Sequence, residues 1–232
     1  MNEYKGFSYY FDQIMEYINY NDWLNFTLHY LKADAKVLDL ACGSGLLATL
    51  LNIEGYETDG LDLSQDMLGL ANDRFKANHI LSKLYLQDMT SFKLDKKYDA
   101  ITCYFDSLNH LPTLDYVKQT LDSVYEALNE GGLFLFDIFS LSKYKDMDDT
   151  LIKESFDDFN YCWKISIKEP NILMHDITIA NDHVIHEKYN EYYYDYKDFI
   201  DLCKFEIVKI CGDFNEDLDD EDERILIVLK KI

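Results

Sequence analysis

The segment Val37–Gly45, VLDLACGSG, places the acidic Asp39 within an apolar run and then breaks into a glycine turn. Val37, Leu38 and Leu40 suit a buried parallel strand. Gly43 and Gly45 permit a tight turn with close backbone approach to a ligand, and Leu46–Leu51 begin a helix whose first N–H groups face that ligand. Seventeen residues beyond Gly45 a second apolar run ends in Asp62, where a carboxylate can accept from both hydroxyls of a ribose. Two strand ends therefore face one nucleoside. No basic residue stands near the turn to balance a pyrophosphate, and position 48 is Ala, the tolerated variant of the last glycine in a dinucleotide fingerprint. Asp39, Cys42 and Ser44 leave the turn neutral to acidic, which favours a nucleoside carrying a sulfonium or an ammonium over a dinucleotide.

A second group with chemical potential lies in FDSLNHL, after the apolar strand Ala100–Tyr104. His110 carries a side chain that titrates near neutral pH and is the leading candidate for a general base; its structural alternative is to cap the turn before Leu111–Pro112. Asp106 can orient an amine or alcohol, Asn109 can hold it by hydrogen bonds, and Phe105 lies beside them. His186 and Tyr189 in IHEKY form the second catalytic set, with Tyr192 following on the substrate side if strand alternation brings that face inward. His175, His183 and His186 lie on turn-separated segments without a dependable acidic partner, so no metal site is expected. A phosphate-binding G-x-x-x-x-G-K-[ST] loop is absent from the sequence.

The elements that must position these residues read as alternating strands and helices up to Ser140. Phe7–Ile14 and Trp23–Tyr30 give two short helix faces, the second capped by Asp22. The core then runs strand Lys36–Leu40, helix Gly45–Asn52, strand Tyr56–Leu61, helix Gln65–Phe75 capped by Ser64, strand Ser82–Leu86, strand Ala100–Tyr104, helix Leu114–Leu128 and strand Leu133–Ile138. Glycines 131 and 132 mark the end of the last helix. After Ser140 come Tyr-rich strand-like pieces at 154–168, 172–180 and 183–194, separated by turn signals and expected as a three-stranded antiparallel cap. A helix over 195–203 and a hairpin of Phe205–Cys211 with Ile225–Leu229 close the chain. The expected divisions are therefore a helical lid over 1–35, an α/β core over 36–140, a cap over 141–194 and a terminal helix and hairpin over 195–232.

The balance of 44 acidic against 22 basic residues gives a formal net charge of −22, and only Lys93, Lys96 and Lys97 cluster. A nucleic-acid partner needs a basic stripe to replace phosphate counterions, so nucleic acid is disfavoured and a neutral or cationic small molecule fits the field better. Eight acids within Asp213–Glu223 read as a solvated loop between paired strands. Five scattered cysteines without a C-x-x-C pair suggest neither disulfides nor a thiolate zinc site. No apolar run reaches membrane-spanning length and the opening residues do not read as a secretory signal, so a cytoplasmic location is expected.

These motifs together resemble the class I S-adenosylmethionine-dependent methyltransferases, over most of the chain. The family's first cofactor motif, D/E-x-x-x-G-x-G, is matched by Asp39, Ala41, Gly43 and Gly45; the acidic end of its second strand is matched by Asp62. Asp88–Met89 matches the family's adenine-side signature, and Tyr98–Leu111 its fourth strand with the loop over the methyl group. More narrowly the chain is similar to small bacterial members that open F-A-x-x-Y-D, continue Y-x-x-W and carry H-x-x-Y before a final helix and hairpin. Ser8 and Phe11 depart from that opening, whereas Tyr20, Trp23, His186 and Tyr189 agree with the pattern.

The resemblance implies a Rossmann-like seven-stranded sheet of order 3-2-1-4-5-7-6 with the cap inserted after the fifth strand. It further implies S-adenosyl-L-methionine as cofactor, held by Tyr10, Tyr20, Trp23, Asp39, Ala41, Gly43, Gly45, Asp62, Leu63, Met67, Asp88, Met89 and Tyr104. Phe105, Asn109 and Tyr192 are then expected at the acceptor, with His110, Asp106, His186 and Tyr189 as catalytic candidates. Methyl transfer to N or O of a small molecule is the expected reaction. Nucleic acid and membrane are not expected partners, and a homodimer stays open. The rival readings are a non-catalytic S-adenosylmethionine-binding module and an RNA methyltransferase.

Overall fold

A computed structural model describes residues 6–232; the opening of the expected lid, residues 1–5, lies outside the described residues. The element order is α1 (Phe7–Ile14), α2 (Tyr20–Tyr30), β1 (Val37–Leu40), α3 (Leu46–Ile53), β2 (Thr58–Asp62), α4 (Gln65–Ala77), β3 (Leu84–Leu86), β4 (Tyr98–Cys103), a 3₁₀ turn (Ser107–His110), α5 (Leu114–Ala127) and β5 (Leu128–Phe139). It continues with α6 (Leu141–Asp146), β6 (Thr150–Ser155), β7 (Asn160–Glu169), β8 (Ile172–Ala180), β9 (Val184–Tyr192), α7 (Tyr196–Leu202), β10 (Glu206–Gly212) and β11 (Arg224–Lys230).

Seven strands form one mixed sheet of order β10-β11-β5-β4-β1-β2-β3, in which β11 alone runs antiparallel to the rest and β10, antiparallel to β11, runs parallel to them. Counted within the core, this is the 3-2-1-4-5-7-6 order read the other way. The parallel strands at its centre are mainly apolar, as burial on both faces requires: every residue of β1 and all but one of β4 are buried, the polar Asp39 and Thr102 among them bonded to each other. On one face, α5 and α7 cover Leu38, Leu40, Ile101, Phe134 and Phe136; on the other, α2 and α3 cover Val37, Ala100, Leu135 and Val228.

A separate four-stranded antiparallel sheet, β6-β7-β8-β9, follows β5. Three strands were expected here, and the piece at 154–168 is in fact two: Phe156 N donates to Phe159 O at 2.8 Å and closes a turn between β6 and β7. The intervening Phe156 and Phe159 rings stack on one another, so an aromatic stretch that reads as continuous strand folds back on itself. Helix α1 packs into this sheet's own apolar cluster through Phe7, Tyr10 and Ile14, while α2 packs on the large sheet through Trp23 and Leu24. The two N-terminal helices thus sit on different bodies.

Local signals explain most boundaries. Ser64 accepts from Met67 N at 3.2 Å and starts α4 as expected, and Thr113, Ser140 and Asp195 cap α5, α6 and α7 in the same way. Asp22 does not cap α2; the helix begins at Tyr20, and Asp22 sits in its first turn, accepting from Asn19 Nδ2. Strand β5 starts at Leu128 rather than Leu133, because Leu128 pairs with Tyr98 and Leu133 with Ala100 while the glycine segment between them loops out of register.

Candidate active site

The C-terminal ends of β1, β2 and β4, the helix α2 and the inner face of the cap enclose one cavity of about 750 Å³. On its sheet side, β1 and β2 pair in parallel with Asp39 opposite Gly60, which brings the glycine turn beside the end of β2. Gly43 N donates to Asp62 Oδ2 and Ser64 N to Asp62 Oδ1, each at 2.8 Å. A carboxylate offers about four lone-pair sites, so each oxygen retains one that a ribose hydroxyl can use. Burial raises the Asp62 carboxyl above its ordinary range, against the pull of those amides and of His110. Gly43 has φ +53°, and a Cβ built there meets nothing within 4 Å. The cavity therefore begins at its α-carbon, and a side chain would both strain the turn and fill that space.

Asp39, almost wholly buried, accepts from Thr102 Oγ1 at 2.7 Å, yet burial pushes its carboxyl up to about 7, with Asp62 adding to the rise. A carboxyl in this state is stabilised by a cation brought beside it. A diol-accepting carboxylate at one end, open space at a glycine and a cation-seeking carboxyl at the other fit a ribonucleoside whose tail bears an ammonium. Ala41, Leu63, Met67, Met89 and Tyr104 line the same space with apolar surface, and Asp88 lies at its edge, its Oδ1 accepting from Thr90 N and Oγ1.

Three aromatic rings form a lid. Trp23 lies against Phe105 with centroids 4.3 Å apart, and Tyr20 against Phe105 at 4.6 Å. This stack is pinned from below by a charge cluster that the sequence did not reveal. Trp23 Nε1 donates to Asp137 Oδ2, Arg224 Nη1 lies 2.9 Å from the same oxygen, and Asp106 N donates to Asp137 Oδ1. Arg224 also holds both oxygens of Asp106, at 2.8 and 3.3 Å, under the Trp23 ring. Burial alone would lower Arg224, but Asp106 and Asp137 outweigh it and keep the guanidinium charged. Asp106 was expected to orient the acceptor; its carboxylate is instead committed to Arg224, in a loop whose Phe105 and Asp106 both have positive φ.

The cap side brings in Trp163 of β7, His175 of β8, and Tyr189 and Glu191 of β9. Trp163 Nε1 donates to His175 Nδ1 at 3.0 Å, which leaves the proton of the neutral ring on Nε2. That nitrogen lies 3.1 Å from Glu191 Oε2, while His110 Nε2 lies 3.6 Å from Glu191 Oε1. The Tyr189 ring stacks on His175, centroids 4.6 Å apart, and sits 5.4 Å from His110. Burial would raise the Glu191 carboxyl, but His175, its hydrogen bond, His110 and Arg224 together hold it below the ordinary range.

Five expected site residues lie elsewhere. His186 is exposed on the outer face of the cap, its Nδ1 3.0 Å from Thr178 Oγ1, because the register that turns Tyr189 inward turns His186 outward. Asn109 is fully buried and donates to the backbone oxygen of Tyr192, tying the 3₁₀ turn to the end of β9; Tyr192 packs against the main core. Tyr10 faces Phe159 in the cap cluster and bonds Asn181. Gly45 is the left-handed N-cap of α3, where a Cβ would come within 2.8 Å of Ala71 Cβ, so its role is helix packing.

Sequence reasoning passed over Glu191, although a period of two from Tyr189 places it on the same face. It also passed over Asp12, which accepts from Ser44 Oγ at 2.6 Å and pairs with Arg74, tying α1 to the glycine turn. Among the described residues, no group of three or more His, Cys, Asp or Glu could hold a metal ion, and no helix is long and apolar enough to cross a membrane.

Comparison with known proteins bears on this geometry. Residues 37–132 match the family model described as a methyltransferase domain. A protein of Geobacillus sp. (strain WCH70) that carries a methyltransferase name is 31% identical over 98% of this chain and 99% of its own length. A crystal structure of an S-adenosylmethionine-dependent methyltransferase from Clostridium acetobutylicum ATCC 824 superposes with TM-score 0.85 at 27% identity, covering 98% of each chain. A dTDP-3-amino-3,4,6-trideoxy-alpha-D-glucopyranose N,N-dimethyltransferase of Streptomyces venezuelae is 33% identical over 43% of this chain and 40% of its own.

Proposed function

This chain belongs to the class I S-adenosylmethionine-dependent methyltransferases, and we propose that it methylates the nitrogen of a small amine-bearing molecule held between the sheet and the cap. The observation that carries this reading is the mostly buried Glu191 carboxylate, which reaches from the cap to within 3.6 Å of His110 on the turn after β4. The bound cofactor supplies a methyl group already activated on a sulfonium, whose departure leaves a neutral thioether. The chain's own task is then alignment, exclusion of water and control of one proton.

Each part of the cavity suits one of those tasks. Asp62 and the Gly43 backbone hold the nucleoside end, Asp39 faces the charged tail, and the Tyr20, Trp23 and Phe105 rings exclude water from above. His110, in the same cavity, is placed to take a proton from the acceptor. The two cations that line the cavity, Arg224 and Lys143, are each paired with acids, Lys143 with Glu223 at 2.6 Å. An anionic acceptor has no uncommitted cation there among the described residues, whereas a cationic amine meets carboxylates. A hydroxyl acceptor would have to lose its proton at a pH far below its own pKa, while an amine needs only to become neutral. The name of the Streptomyces venezuelae relative points to nitrogen as well.

The test is transfer from methyl-labelled S-adenosylmethionine to primary and secondary amines and to their hydroxyl counterparts, with mass spectrometry locating the label. Label on nitrogen is the expected result. Label found solely on oxygen, carbon or RNA would overturn the amine reading and leave the family membership intact.

A further inference from the structure

We infer that the methyl acceptor is an amine with an elongated apolar body and no phosphate. It lies across the inner face of the cap with its nitrogen at the β9 end and its body running over β8 and β7 toward β6. This rests on the amine reading above and adds the chemical class of the rest of the molecule.

The register of the cap builds the floor for such a body. Thr150 pairs with Ile165, Ile165 with His175 and His175 with Tyr189, so one row of side chains crosses all four strands, and each of the four lines the cavity. Ile152 opposite Trp163 continues the same face two residues along β6 and β7. The face is graded. Its β9 end carries the Tyr189 hydroxyl and, two residues on, the Glu191 carboxylate, whereas its β6–β7 end carries Ile152, Trp163 and Ile165. The polar atom of the apolar end, Trp163 Nε1, is engaged by His175 Nδ1 and adds no demand for a polar ligand. Neighbouring strands lie about 4.8 Å apart, so the three steps from β9 to β6 span roughly 14 Å.

Segments outside the cap complete the apolar end. Met147 after α6, Phe11 of α1 and Met15 at the end of α1 line the cavity and pack against the apolar cluster of the cap. These three and Ile152 are only half-buried. Apolar surface that the fold leaves uncovered inside a cavity gains by being covered by an apolar ligand.

Charge excludes the other kind of long acceptor, one that carries a phosphate. Six carboxylates line the cavity, against Lys143 and Arg224 as its lysine and arginine. Arg224 is held by Asp106 and Asp137, and Lys143 by Glu223. A phosphate would enter a net negative field whose two strong cations are already paired, whereas an ammonium with a hydrocarbon body meets favourable charge at one end and apolar surface along the rest.

The test is calorimetric titration of the protein loaded with S-adenosylhomocysteine, using the n-alkylammonium chlorides from methyl to hexyl, the matching n-alkanols and thymidine diphosphate. Affinity for the ammonium series should rise about three- to fourfold for each methylene added, as burial of a methylene requires. Alkanols of equal length should bind about tenfold more weakly, having no charge to offer the carboxylates. Thymidine diphosphate should neither bind nor displace hexylammonium. Ile152→Thr keeps a β-branched residue in the strand and Met147→Gln keeps the side-chain length; each should weaken hexylammonium about threefold or more and leave methylammonium unchanged. Affinity independent of chain length, hexylammonium binding undiminished in both variants, or its displacement by thymidine diphosphate would overturn the inference. Alkanols that bind as tightly as the ammonium ions and rise as steeply with length would leave the apolar floor standing and sink the amine reading, so the two failures are distinguishable.

Discussion

Two carboxylates, Asp62 on the sheet wall and Glu191 on the cap wall, face the same cavity and are held by different means. Asp62 is gripped by the backbone amides of Gly43 and Ser64, 19 and 2 residues away in one crossover. Glu191 is gripped by imidazoles from β8 and from the turn after β4, brought together by strand register and by the packing of cap on core. Their acidities diverge accordingly: burial wins at Asp62 and Asp39, which are pushed up, while the imidazoles and Arg224 win at Glu191, which is held down. In the proposed reading the backbone-held group meets the nucleoside, and the side-chain-held group meets the acceptor.

The largest effect expected is at the point where the walls meet. His110→Ala removes the proposed proton acceptor without touching the amides that hold Asp62, so turnover should fall roughly 10²–10⁴-fold while the affinity for S-adenosylmethionine, measured by calorimetry, stays near the wild-type value. A parallel fall in cofactor affinity would mean that His110 belongs to the sheet wall.

The divergent acidities give the next prediction. Asp39 has an ordinary value of 3.8 and is pushed up to about 7 in the fold. Between those values the unfolded chain has released a proton that the folded chain keeps, so stability without ligand should fall as pH rises from about 4 to 7. At 1.36 kcal/mol per unit, the full shift amounts to a few kcal/mol, about 4 at most. Glu191 acts in the opposite sense: its stabilisation is complete above its ordinary range and is lost as pH falls through its lowered value. Urea titrations across about pH 2 to 8 should show Asp39→Asn flattening the slope between about 4 and 7 and Glu191→Gln flattening it on the acid side, below the ordinary glutamate range. The same slope in both variants would erase the contrast between the walls.

Asp62→Ala sharpens the comparison on the sheet side alone. Two hydroxyls lose a charged acceptor worth about 1.5–3 kcal/mol, so cofactor affinity should fall about 10- to 150-fold with the fold retained. Gly43→Val should act in the same direction through strain and lost space at φ +53°.

The contrast also separates what could be read from sequence from what could not. The sheet wall was legible because its parts are local: an apolar strand, a glycine turn and the acidic end of the next strand define their own geometry within one crossover. Ser64 as a cap followed from the same kind of signal, whereas the seven-strand order was implied by the family resemblance. The residues that the structure moves depend on contacts between distant segments. Asp106 looked available because its partner Arg224 enters from the far end of the chain, and Gly45 looked like a ligand contact because Ala71 of α4 is not adjacent in sequence. On the cap, a one-residue choice of face decided between His186 and Glu191, and no single strand carries the information to make it.

That choice of face supplies the smallest effect and the most discriminating one. His186 lies outside the cap, opposite Thr178 across the β8–β9 pair, and its contact is an exposed one. His186→Ala should therefore change stability by no more than about 0.5 kcal/mol, as surface substitutions do, and leave both kcat and the acceptor KM unchanged. Urea melts and steady-state kinetics measure both. Its neighbours on the same strand make the control internal, since Tyr189 and Glu191 point the other way and their substitution should be felt at the acceptor. If His186→Ala instead depressed turnover as strongly as His110→Ala, β9 would have to be turned over in its sheet, carrying Glu191 to solvent. The cap wall as described, with its ordered chain from Trp163 to Glu191, would then not exist, while the sheet wall would stand unchanged.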